Sequence, residues 1–162
     1  MLLARIQNDT IIELRNISLD DVPAHKRQHW RPIEGTPPSH DPEIDTISGP
    51  TYVIEAGRVL RQYTIARRPQ HEIDEAVRRE YERRRCLVFD ASDIARAAAS
   101  QADDNAEIRI LYALSSRTPE QQAWLDEMIA RGSRAMALVD RFNAILEMSP
   151  VPSDYRSDIY WS

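Results

Sequence analysis

His25 and His29 stand i, i+4 in the segment HKRQH, a spacing that puts two imidazoles on one helix face, as zinc sites use it. The glutamate of an HExxH helix and any further ligand cluster are missing, so the pair does not add up to a metal site. His40 and His71 fall in unrelated contexts, no serine or cysteine sits in a nucleophile-elbow pattern, and the four glycines are too scattered for a phosphate-cradling loop. Cys86 is the only cysteine, which excludes an intrachain disulfide and a cysteine-based zinc site. Its neighbours Leu87 and Val88 favour a buried structural thiol over one activated by the adjacent arginines. These residue types predict a non-enzymatic protein without cofactor or metal.

The charged tract RREYERRR, residues 78–85, sets five arginines against two glutamates and could make one side of a helix basic enough to hold phosphates. Asp74 with Arg78, Glu75 with Arg79, and Glu80 with Arg84 are acid-before-base pairs at i, i+4. That is the favourable order for a salt-bridged helix, and the pairs cancel much of the field. Arg83 and Arg85 stay unpaired in this scheme and are expected at a protein contact, where arginine is favoured. The formal charge of −5 further weighs against nucleic acid as a partner. Twenty of the twenty-one basic residues are arginine, Lys26 being the exception, a bias toward planar, bidentate pairing.

The elements that must carry these residues divide the 162-residue chain into three. Residues 2–15 read as a hairpin around the turn-prone cluster Gln7–Thr10. Ser18 and Asp20 cap a short helix over about 19–29. Periodicity then vanishes from Trp30 until Thr51, and residues 35–50 hold four of the ten prolines. Pro37, Pro38 and Pro42 favour an extended arm, expected to lie on a neighbouring subunit. Strand-forming residues resume on both sides of Glu55-Ala56-Gly57, with Gly57 suited to positive φ. Residues 1–68 are therefore expected to form a small antiparallel β unit with a proline-rich arm, supported by Trp30, Tyr52 and Tyr63.

From Pro69 the spacing becomes helical. Ile73, Val77, Tyr81 and Val88 share one face, and a second segment over about 92–115 carries Ile94, Ala98, Ile108, Leu111 and Tyr112. The sequence leaves open whether these are one helix or two. A third helix opens on a capping box, Thr118 with Gln121, and Pro119 at its first position. Its seam runs Leu125, Met128, Gly132, Ala135, Val139, Phe142 and Leu146 in steps of three and four. Such a seam closes either within a helical hairpin or between copies, which makes a homo-oligomer through residues 125–146 one expectation. Gly132 and Ala135 would admit a closely approaching helix. The tail, residues 149–162, has two helix-stopping prolines and an apolar end, and Tyr155, Tyr160 and Trp161 are expected to dock on the chain itself or on a neighbour. The predicted fold class is α+β, a β unit followed by a helical hairpin or small bundle over 69–148. The start MLLARIQND lacks the apolar core of a signal peptide, and no apolar run approaches the ~20 residues of a membrane span.

The opening ARIQNDTIIEL, the tryptophan–proline stretch HWRPIEGTPPSHDPEID, the hairpin TYVIEAGRVLRQYTI and the helix EIDEAVRREYERRR occur in the order seen in a known group. Over residues 3–85 the chain resembles small bacteriophage tail-fibre-assembly and tail-associated virion proteins. The resemblance implies a structural component of a tailed-phage virion, located in the tail, baseplate or fibre-attachment region. It would bridge neighbouring virion proteins and be assembled in the bacterial host cytoplasm. The alternative it implies is a fibre-assembly chaperone absent from the finished particle, and a nucleic-acid-binding regulator using the arginine tract is a third reading.

Overall fold

Two tight turns organise the first 68 residues. At Asn8-Asp9 and again at Ala56-Gly57 both central residues have positive φ, 52° and 55° in the first pair and 48° and 77° in the second. This is the turn hand that matches the twist of a two-strand ribbon, and Asn, Asp and Gly adopt it at low cost. The first turn joins β1 (Leu2–Gln7) to β2 (Thr10–Asn16), and the second joins β4 (Asp45–Glu55) to β5 (Arg58–Arg67). In the computed structural model, which describes residues 1–162, these strands and β3 (Trp30–Glu34) form a curled five-stranded sheet of order β2-β1-β3-β5-β4.

Neighbouring strands are antiparallel except β3 and β5, which are parallel, so the expected all-antiparallel unit has one parallel joint. Residues 30–32 pair with β1 and residues 33–34 with β5, so the two ladders flanking β3 do not overlap. Pro32, which has no N–H to give, sits at that hand-over. The helix expected over 19–29 is instead two 3-10 turns, Leu19–Asp21 and Ala24–His29, split by Pro23, whose ring cannot continue the first turn. Arg27 clamps the split, its Nε and NH2 donating to the carbonyls of Val22 and Asp20 at 2.9 Å each. Under these turns Leu3, Val22 and Trp30 form a small core with Ile17 and Leu19, and the Arg15 guanidinium covers Trp30 at 5.9 Å from its centroid.

Both edge strands are irregular. In β2 the extra residue Ile12 falls between the pairs Arg5–Glu13 and Ile6–Ile11, and in β4 Gly49-Pro50 interrupts the pairing between Ser48–Thr64 and Thr51–Gln62.

Residues 69–162 form a second compact unit. α1 (Gln70–Val88) and α2 (Ile94–Ala113) are separate helices. α1 ends with Asp90 at φ 48°, the amides of Ala91 and Asp90 returning to the carbonyls of Cys86 and Leu87, a left-handed cap with Asp where glycine is usual. Asp93 then accepts from the Arg96 amide and starts α2. α3 (Pro119–Glu147) begins at the anticipated capping box: the Gln121 amide donates to Thr118 Oγ1, and the Thr118 amide to Gln121 Oε1. α3 packs on both α1 and α2. No helix is long and apolar enough to cross a membrane.

Candidate interaction site

The arginine tract is tied down within its own unit. Glu80, only 4% exposed, accepts two bonds from Arg83, at 2.8 and 2.6 Å, and one from Arg84 Nε at 2.7 Å. Burial, the largest single influence, pushes the Glu80 carboxyl up, but the bonds and charges of Arg83 and Arg84 together outweigh it and hold the group below its ordinary value. Arg84, its side chain 15% exposed, spends its other nitrogen on the tail: NH2 donates to the Arg156 carbonyl and to Asp158, both at 2.8 Å. Its guanidinium also lies over Trp161, 5.2 Å from the ring centroid. Arg85 donates to Gln101 of α2 at 2.7 Å and approaches the Tyr81 hydroxyl. The expectation that Arg83 and Arg85 are unpaired is thus overturned: a carboxylate at i−3 and an amide from the next helix claim them. Of the three anticipated i, i+4 pairs, Glu80–Arg84 forms as drawn.

The tail is correspondingly a strap on its own chain. Val151, Tyr155 and Trp161 are all at most 5% exposed, and Trp161 Nε1 donates to the Tyr155 carbonyl at 2.6 Å. Tyr155 and Trp161 are therefore not available to a partner while the strap is closed. Tyr160 is half-buried, bonded to Asp154, and Ile159 is 71% exposed.

The seam of α3 closes inside the chain. Leu125 and Met128 pack with Leu111 and Ile108 of α2. Ala135 packs with Phe89 and Ala97, flanked by Cys86, and Phe142 stacks on Tyr81 at 4.9 Å. Beyond Ala135 the buried positions are Leu138 and Ile145, with Val139 and Leu146 only half-buried. A straight helix drifts ~20° per heptad from a 3.5-residue stripe, and α3 changes partner along its length, from α2 near Leu125 to α1 near Phe142. A Cβ on Gly132 would meet nothing within 4 Å, so the close approach expected there occurs only at Ala135. On α2, Ala97 is buried and Ala98 and Tyr112 face outward, contrary to the stripe anticipated for them. The half-buried pair Asp104–Arg131, at 3.1 Å, links α2 to α3.

The arm divides in two. Pro37 and Pro38 lie on an exposed irregular stretch, but Asp41 forms a side-chain turn with the Glu43 amide at 2.9 Å, and Ile44 is fully buried. Arg68 Nε donates to the Pro42 carbonyl and its amide to the Ile44 carbonyl, so the second half is held by its own β unit. Residues 45–50 belong to β4, which corrects the expectation of an extended arm over all of residues 35–50.

Comparison with protein-family models, curated proteins and solved structures gives no match for this chain.

With seam and tail closed, large apolar groups remain exposed elsewhere. At the turn between α2 and α3, Ile110 is 57% exposed, Tyr112 60%, Leu114 39% and Trp124 54%. At 1.5 Å rise per residue, Ile110 and Trp124 each lie within about 8 Å of the hairpin end along their helices. The turn itself is braced: Arg117 donates to the Leu111 carbonyl and to Gln122 and rests on Tyr112. Sequence reasoning missed this end because it followed the seam, and Trp124, standing one position before Leu125, was the signal. His25 and His29 lie together on one 3-10 turn, and no group of three His, Cys, Asp or Glu side chains gathers to hold a metal ion.

Proposed function

We propose that the chain is a non-catalytic assembly component of a tailed-bacteriophage particle, placed in the tail, baseplate or fibre-attachment region, where it bridges neighbouring virion proteins. The observation that carries the binding role is the apolar end of the α2–α3 hairpin, with Ile110, Tyr112, Leu114 and Trp124 exposed beside a seam that is already filled. Covering such groups yields ~25 cal/mol per Å2, and their grouping at one end suits a protein contact. The phage setting rests on the resemblance over residues 3–85.

The test is quantitative mass spectrometry of particles purified from the host that encodes the chain, comparing the native protein with a Trp124→Glu, Ile110→Glu variant. Fixed stoichiometry in native particles, reduced severalfold in the variant, is the expected result. A chain abundant in infected cells, bound to a fibre subunit and missing from particles, selects the chaperone reading instead. Equal incorporation of the variant removes the hairpin end as the docking surface.

A further inference from the structure

The first 68 residues contain nine basic and nine acidic residues, so the entire −5 charge belongs to residues 69–162. Within that balanced first unit the charges are unevenly placed. A cleft of about 440 Å3 opens beside the β1–β2 turn, and Arg5 of β1 with Lys26 and His29 of the second 3-10 turn line it, without a single carboxylate. Lys26, the only lysine of the chain, has no ion-pair partner. Arg5 reaches Glu13 at 3.3 Å, but Arg15 pairs with the same carboxylate, so one acid serves two guanidinium groups and the lip keeps a positive excess. Ile6 and Ile12 provide apolar wall, and Gln7 and Asn8 complete the lining. A second cleft continues past His29 to Arg31, with Asp9 as its one acid.

The geometry points to this cleft as a docking site for an acidic peptide segment of a partner protein. Guanidinium and ammonium groups give charge-assisted bonds to carboxylates, the side-chain amides of Gln7 and Asn8 can pair with polar groups of a peptide, and the two isoleucines accept aliphatic side chains. A bare inorganic anion would leave the apolar walls unused. The extra residue Ile12 in the edge strand interrupts a ladder there, so the peptide docks by its side chains and not as a sixth strand. The site does not depend on the particle reading above.

The test is an amide-resolved NMR titration of the full chain with the capped peptide Glu-Val-Glu-Val. Saturable shifts at Arg5, Asn8, Lys26 and His29 are expected, with affinity falling at least tenfold in Lys26→Glu and severalfold on raising salt from about 0.05 to 0.5 M. Lys26 is exposed, so its variant should fold, as the unchanged remainder of its spectrum would report, and Lys26→Gln provides a milder second variant. Equal shifts with Gln-Val-Gln-Val, native affinity in both Lys26 variants, or equal binding of inorganic phosphate, meaning an adventitious ion only, would each overturn the assignment.

Discussion

Replacing Arg84 by methionine keeps much of its stem packing while removing its own bonds to the tail, those to the Arg156 carbonyl and to Asp158. The lost bond to the buried Glu80 carboxylate is a charge-assisted one, for which about 1.5–3 kcal/mol is typical. The contact over Trp161 adds roughly 0.5–1 kcal/mol. Asp158 is 90% exposed, and its ion pair is screened to a few tenths at most. These contributions share one guanidinium and do not add fully, so the net expectation is a loss of about 2–3 kcal/mol. Glu80 is not orphaned by the change, because Arg83 still holds it through two bonds. All three α-helices lie in residues 69–162, so urea unfolding followed by the helical circular-dichroism signal reads this unit. At a slope of ~1–3 kcal/mol per M the midpoint should fall by about 0.7–3 M. Hydrogen exchange over residues 155–161 should accelerate in the same variant, while Asp158→Asn should do little to either. An Arg84→Met midpoint within 0.3 M of the native protein, with unchanged exchange in the tail, would refute the strap.

Acid should weaken the same network. The folded Glu80 carboxyl sits below its ordinary value of 4.5, so its contribution is fully present above about pH 5 and is lost as pH falls through the depressed folded value. Unfolding midpoints against pH should therefore drop in that acid range, and Glu80→Gln should start lower and flatten the drop. Trp161→Ala should cost about 3–5 kcal/mol, and deletion of residues 151–162 more, because Val151 and Tyr155 leave with it. A truncated chain with native stability would contradict the burial of all three. Thr118→Ala should cost about 1 kcal/mol through its cap on α3, again read by urea titration. Gly49→Ala should destabilise more than Gly57→Ala: the first has φ 115° and a Cβ that would meet the Gln62 carbonyl at 2.9 Å, the second φ 77° and open space. Equal midpoints for the two alanine variants would refute that ranking.

The sequence disclosed elements whose chemistry is local. Asn8-Asp9 and Ala56-Gly57 announced their hairpins, and Thr118, Pro119 and Gln121 announced the start of α3, because turn and cap preferences act over two to four residues. It concealed β3, since Pro32 reads against a strand until the stagger of its two neighbours is known. It likewise concealed residues 45–50 of β4, where Gly49-Pro50 interrupts the pattern. The pair Glu80–Arg84 was legible from its i, i+4 spacing, but its burial and the bond of Arg84 to Asp158, seventy-odd residues on, were not. In α3 the apolar spacing identified a seam, but which of Leu138 or Val139 enters the core depends on helices that the local pattern does not describe.

The interruptions in β2 and β4 bear on crowded surroundings. A sheet with two clean outer strands offers unpaired amides and carbonyls in a row, a template on which other copies can polymerise. Here Ile12 and Gly49-Pro50 break that row on both sides, so the longest uninterrupted outer run is short on either edge. Raising the local concentration should therefore bring copies together through side-chain surfaces, which saturate at a defined number of neighbours. The open-ended growth of a strand ladder is closed to them.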